Sequence, residues 1–297
     1  MSLTVSTLPA AWERPVFIIT TGRSGSTLLL RYVNCAKGVA VWGEHAGILN
    51  ELNRAFGRLT CASTREFVDE ARPWVDYVMQ NRAVVCPTDQ MTVEWVNSFD
   101  SGTVRQAFRH FIAGLFTHGL SPNVRWGFKE IHYASGEINL LRALFAAPRF
   151  LLLVRNPLAI LRSKYKAFAK SDVSAMPPHV DETLCFLDCV AAEIAAGAAD
   201  VLLVHYETLT RAPDAELARI GRFIDAPFID DEIRAITGER AGRDTMPSDI
   251  AGDLVSWAGE IGLAVDPEKL ARIAGRYREL VAAASAPEMS GVITAAA

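Results

Sequence analysis

Cysteine is scarce in this chain: five in 297 residues, at 35, 61, 86, 185 and 189. An odd number at scattered spacing argues against a disulfide framework, so a reducing, cytoplasmic setting is expected. No uncharged stretch approaches the ~18 residues a membrane span needs. Met1 to Pro15 lacks a basic flank followed by an apolar run, so no leader is expected. Positive charge is not in excess: 30 Lys and Arg stand against 34 Asp and Glu, a formal net charge of −4. That argues against a nucleic-acid partner, and it makes any anion site a local cluster of basic groups and backbone amides. His45, His110, His118, His179 and His205 show no metal-ligand spacing, and no metal is expected. Repeats and low-complexity blocks are missing, apart from an Ala-rich tail.

What is present reads as globular, with half the residues hydrophobic and 22% charged. The length suits one α/β domain with a large core or two small ones, and the expectation is a single domain over 15–285, with a disordered lead at 1–14 and a loose tail at 286–297. Val16–Thr21, Arg149–Val154 and Val201–His205 are short apolar runs bounded by turn signals, the mark of buried strands. Trp126–Ile131 is a candidate fourth. Helical periodicity covers Ser26–Cys35, Pro157–Phe168 and roughly 45–58, 64–81, 103–118, 136–146, 181–199, 213–224, 229–237 and 267–284. Strands separated by helices predict an α/β fold: a three-layer α/β/α domain around a parallel sheet of about four or five strands. Cys185 and Cys189, four apart, are expected on one buried helix face. Pro177-Pro178 predicts that 170–180 is a loop, and 238–250 reads as a second polar loop.

Ligands in such sheets sit beyond the carboxyl ends of the strands. After the first strand, Thr20-Thr-Gly-Arg-Ser-Gly-Ser-Thr27 enters a helix. Gly22 and Gly25 allow a sharp turn, the helix start supplies unbonded N–H groups, and Arg23, Ser24, Ser26 and Thr27 supply charge and hydroxyls. This is an anion cradle, although an ordinary Gly/Ser turn capping a helix has the same composition. A nucleotide triphosphatase would have lysine where Ser26 stands. After the second strand, Arg155 and Ser163, two helical turns apart, are placed to hold a phosphate from two sides. A surface Arg and a solvent Ser would look the same.

Together the two loops resemble the cofactor motifs of the P-loop sulfotransferases. Val204-His-Tyr-Glu-Thr-Leu209, followed by Pro213 and the helix ending Ile224-Asp-Ala-Pro-Phe228, resembles a third family segment. The resemblance spans roughly 15–230. It implies 3′-phosphoadenosine 5′-phosphosulfate as cofactor, with Arg23, Ser24, Gly25, Ser26 and Thr27 on the 5′-phosphosulfate and Arg155 with Ser163 on the 3′-phosphate. It implies no metal. Many cytosolic members have Lys in place of Arg23, a Lys-x-His base segment and a late Arg-Lys-Gly motif. This chain departs from all three. Arg23 is closer to the Golgi-type tyrosylprotein branch and its bacterial relatives, though that branch's membrane anchor and disulfide pair are not evident. In that branch Glu44, in Val41-Trp-Gly-Glu-His45, matches a glutamate base, and Lys129 matches an upstream lysine.

On this resemblance Arg23 and Lys129 neutralise charge on the sulfuryl group and bridging oxygen, and Glu44 takes the acceptor's proton. Each residue has a plainer reading: Glu44 as a helix N-cap, Lys129 as the partner of a surface acid. His132 is the rival base, and Tyr206 is placed to contact adenine or ribose or to sit in the core. Segment 170–180 is a candidate acceptor loop or lid, and Arg240 or Arg243 a candidate cover for the 3′-phosphate. The acceptor, a hydroxyl or amine on a carbohydrate, lipid, peptide or small molecule, is not legible, nor is the oligomeric state. A P-loop nucleotide kinase and a non-catalytic nucleotide-binding module are the alternative readings.

Overall fold

The computed structural model describes residues 7–60, 101–131, 136–237 and 249–285. Five strands, β1 (Val16–Ile19), β2 (Val39–Trp42), β3 (Arg125–Glu130), β4 (Arg149–Val154) and β5 (Val201–His205), form a sheet of order β2-β3-β1-β4-β5. The fold is three-layered α/β/α. Contacts divide the chain into two compact units: 1–17 with 38–149, and 18–37 with 150–297. The division falls inside β1, so Val16 and Phe17 count with the first unit, Ile18 and Ile19 with the second.

In the first unit β2 runs parallel to β3, Val39 opposite Arg125 and Trp42 opposite Phe128. Its helices are α2 (Ile48–Thr60), α3 (Ser101–Thr117) and α4 (Gly136–Leu144). The core here is aromatic: Phe17 packs on Phe128 with ring centroids 4.6 Å apart, and Phe116 on Phe128 at 4.7 Å. The Trp126 indole N–H donates to the Trp12 carbonyl at 2.9 Å, so its polar edge is satisfied on burial. Gly127 is required inside a strand because a Cβ there would collide with the Val16 carbonyl.

In the second unit β4 runs parallel to β5, Phe150 opposite Val201 and Val154 opposite His205. Five of β4's six residues are buried, which is why it reads as an unbroken apolar run. Around this pair lie α1 (Ser26–Val33), α5 (Pro157–Lys164), α6 (Pro177–Ala195), α7 (Tyr206–Arg211), α8 (Pro213–Ile224), α9 (Asp230–Thr237), α10 (Ile250–Glu260) and α11 (Pro267–Ser285).

Several expectations change. The predicted loop 170–180, which follows a π-helical turn at Tyr165–Ala169, is mostly helical: a 3₁₀ turn covers Val173–Ala175, and α6 starts at Pro177. Pro177 and Pro178 occupy the first turn, where their missing N–H groups lose nothing, so they start the helix. Cys185 is exposed and Cys189 half-buried, not core residues, because α6 buries Val180, Leu184, Leu187 and Val190 on the other side. β2, α7 and α10 were not expected from periodicity. The predicted helix at 64–81, His132, Arg240, Arg243 and most of the 238–250 loop lie outside the described residues, as do the N-terminal six residues and the tail at 286–297. Among the described residues no helix is long and apolar enough to cross a membrane, and no group of three or more His, Cys, Asp or Glu is placed to hold a metal.

Candidate functional site

In the second unit the loop leaving β1 is anchored before it turns. The Thr20 hydroxyl donates to the Leu153 carbonyl at 2.7 Å. Arg23 then takes a left-handed φ of 68° and Gly25 one of 90°. Gly25 is the N-cap of α1, with no side-chain cap. A Cβ at Gly25 would collide with the Tyr206 ring, so glycine is needed here for close packing as well as for φ. The first N–H groups of α1 have no intrahelical acceptor and, with the dipole, favour an anion. Ser24 is fully buried, and among the described residues its Oγ has no hydrogen-bond partner.

The loop leaving β4 meets this one. Asn156 caps α5, its side chain accepting from the Leu158 N–H at 2.9 Å, and Pro157 takes the first helical position. The Arg155 guanidinium donates to the Arg23 carbonyl at 3.2 Å and lies 4.3 Å over the Tyr206 ring. Arg23 Nε donates to Ser163 Oγ at 3.0 Å. Arg23, Ser24, Gly25, Arg155, Ser163 and Tyr206 therefore form one cluster, in which the two expected phosphate grips touch through Arg23 and Ser163. The Tyr206 ring lies between Gly25 and Arg155. Ser26 is buried and Thr27 exposed at the first turn of α1.

In the first unit a second arrangement stands beyond β2 and at the end of β3. Lys129 Nζ donates to Glu44 Oε1 at 2.5 Å, with the lysine side chain 6% exposed and the glutamate 42%. Beside it His45 Nε2 lies 3.0 Å from Glu130 Oε2, and Glu130 Oε1 accepts the Ile131 N–H at 2.7 Å. Two consecutive residues after β2 thus face two consecutive residues of β3. Lys129 does pair with an acid, and that acid is the candidate base. Glu44 is not an N-cap: Ala46 and Gly47 take left-handed φ of 57° and 75°, which delays α2 to Ile48.

A profile described as the sulfotransferase family matches residues 15–231, well over half of the chain. The chain belongs to the sulfotransferase family. Solved structures agree on the fold. The sulfotransferase domain of the Synechococcus PCC 7002 olefin synthase is 17% identical, with 92% of this chain and 96% of that one covered and a TM-score of 0.51. A Mycobacterium avium sulfotransferase is 15% identical over 90% of this chain and 76% of that one, also at 0.51. At such identities the likeness speaks for fold alone. No curated protein sequence matches the chain.

The sulfotransferase contains residues that sequence reasoning gave no role. Glu207, next to Tyr206, is buried; its Oε1 accepts the Asn156 N–H at 2.7 Å and its Oε2 the Tyr277 hydroxyl at 3.1 Å. It ties the Arg155 loop to α11, and its place in the Tyr-Glu pair was the only available signal. His205, which precedes Tyr206, is buried too; burial pushes its imidazole down to about 4. Lys164, beside Ser163, is 2% exposed, and no periodic pattern marks a lysine as interior.

Proposed function

We propose that this sulfotransferase takes its sulfuryl group from 3′-phosphoadenosine 5′-phosphosulfate and passes it to a hydroxyl or amine. The observation that carries the donor reading is the cluster around Gly25: a buried Ser24 hydroxyl with no partner among the described residues, the open start of α1, and the Arg23 and Arg155 guanidiniums. Such a set fits a doubly anionic nucleotide and would leave Ser24 unsatisfied without one. Ser24, Gly25, Ser26 and Thr27 hold the 5′ end, Arg155 and Ser163 the 3′-phosphate, and Tyr206 supports the loop from below. Ser26 stands where a nucleotide kinase needs lysine, and this favours the sulfuryl donor over ATP.

When bound, the donor supplies an activated sulfuryl group. Arg23 and Lys129 then offset charge on that group and its leaving oxygen, and Glu44 accepts the acceptor's proton. The assignment of Glu44 follows the resemblance to the tyrosylprotein branch. Its exposure suits a base that must meet an incoming acceptor, and Lys129 fixes one of its oxygens. Residues 15–285 act as one catalytic domain in this reading. A cytoplasmic location belongs to it as well and rests on the sequence alone. The test is a screen for transfer of ³⁵S from labelled donor into cell extract. Label should appear in a discrete acceptor fraction with the wild-type protein and not with Glu44→Gln. Tight nucleotide binding without transfer to any fraction would favour a binding module instead.

A further inference from the structure

A lysine with 2% of its side chain exposed is an expensive thing to fold around unless its charge is met. Lys164 Nζ donates to Thr21 Oγ1 at 3.0 Å and lies 2.9 Å from Glu182 Oε2. Thr21 in turn donates to Glu182 Oε1 at 2.9 Å. The three side chains close a triangle in which the hydroxyl accepts from the ammonium and donates to the carboxylate, so its rotor is fixed. His179, one turn back on α6, lies 3.5 Å from Glu182 Oε2. Burial lowers the lysine's pKa against the pull of Glu182. For Glu182 burial pushes upward, but bonds from Lys164, Thr21 and His179 outweigh it and leave the carboxylate below its ordinary range. Directly after Lys164 the backbone passes into the π-helical turn Tyr165–Ala169, an irregularity found often at functional sites.

The position of the triangle gives it a use. Thr21 opens the loop whose next residues include left-handed Arg23 and Gly25. A non-glycine residue such as Arg23 keeps such a φ only when its surroundings over-determine it. Tyr206 packs against the loop's far end, and the Thr20 hydroxyl bond to Leu153 ties its near end. Arg23 is held by the Arg155 guanidinium on its carbonyl and by Ser163 on its side chain, and Thr21, where the loop begins, is held between the ammonium of Lys164 and the carboxylate of Glu182.

We propose that Lys164 and Glu182 are positioning residues for the donor loop: the triangle holds Thr21, and through it the path of Gly22 to Gly25, so that the donor meets a preformed cradle. The proposal rests on the reading of that loop as the donor site. Neither residue touches the donor in this account; both act through the loop backbone.

Two variants test it, Lys164→Met and Glu182→Gln, with Glu182→Asp as the conservative rescue. Three quantities are read on the full chain: amide hydrogen exchange of 20–27 without ligand, the Kd for adenosine 3′,5′-bisphosphate, and Tm. Both variants should exchange the loop amides at least about tenfold faster and bind the bisphosphate about tenfold more weakly at temperatures where they remain folded. The aspartate should recover part of both. A lower Tm with unchanged loop exchange and unchanged Kd would overturn the proposal and leave the triangle a plain stability feature. If Lys164→Met does not fold, Glu182→Gln decides by the same readouts. If the wild-type protein fails to bind the bisphosphate, the donor reading falls, while the loop exchange still decides for or against the latch.

Discussion

The cluster around Gly25 and the Glu44–Lys129 pair are built on different plans. The first is held from several directions: Tyr206 closes against Gly25, Arg155 lies over the same ring, Arg23 reaches Ser163, and Thr21 sits between Lys164 and Glu182. The second is one short ion pair with a buried lysine and a largely open carboxylate, steadied by the neighbouring His45–Glu130 contact. Binding an anion needs groups already in place, since any ordering left to the ligand subtracts from affinity. Accepting a proton needs a group that a second substrate can reach, held on one side only. On this account the first region sets affinity and the second sets turnover, and variants should separate the two.

The largest effect is expected at Glu44. Glu44→Gln keeps size and a hydrogen-bond acceptor but removes the proton-accepting charge. Turnover at saturating donor should fall by at least about 100-fold, the low end of a general base's share, with bisphosphate affinity nearly unchanged. His132→Gln, measured beside it with the same acceptor, should keep most activity. A dead His132 variant next to an active Glu44 variant would move the chemistry out of the ion pair.

Next is the acid sensitivity of the second unit. With a folded pKa of about 4 against 6.5 in the unfolded chain, the His205 imidazole binds more protons when unfolded between those values. Stability is therefore complete above pH 6.5 and declines as pH falls toward 4, by about 3 kcal/mol in all. Chemical denaturation from pH 7.5 to 4.5 should show this slope, and His205→Gln should flatten it. A slope unchanged in the variant would assign the acid loss to other groups.

A smaller effect is expected at Gly25. Gly25→Ala places a methyl against Tyr206 and a Cβ on a left-handed residue, at about 1–2 kcal/mol of backbone strain before any ring displacement. Bisphosphate affinity should drop while Glu44-dependent turnover at saturating donor is largely retained. Loss of turnover with intact affinity would reverse the division of labour between the two regions.

The sequence makes the backbone of the first region legible. β4 and β5 begin and end where their apolar runs do, and Pro213–Ile224 is the helix its periodicity predicts. β2 escapes because it is only four residues long and alternates buried with open positions next to Gly38. The Pro pair misleads because proline stops a helix interior yet starts a first turn. Cys185 and Cys189 share a face, but spacing alone does not say which face is buried. The Lys164 triangle joins residues far apart in the chain; Lys164 and Glu182 read as surface residues by type, and Thr21 only as the end of a buried strand. Tyr206 against Gly25 is the same case: the glycine is visible as a turn, while the ring that demands it is not.

The most direct measurement is calorimetric titration of the wild-type protein and Arg155→Ala with adenosine 3′,5′-bisphosphate and with AMP. The wild type should bind the bisphosphate much more tightly than AMP. Arg155→Ala should lose about 2–4 kcal/mol for the bisphosphate and little for AMP, with its thermal transition intact, because Arg155 lies at a strand end outside the core. Equal wild-type affinities for the two nucleotides, or a bisphosphate affinity indifferent to Arg155, would contradict the claim that this cluster is the donor site.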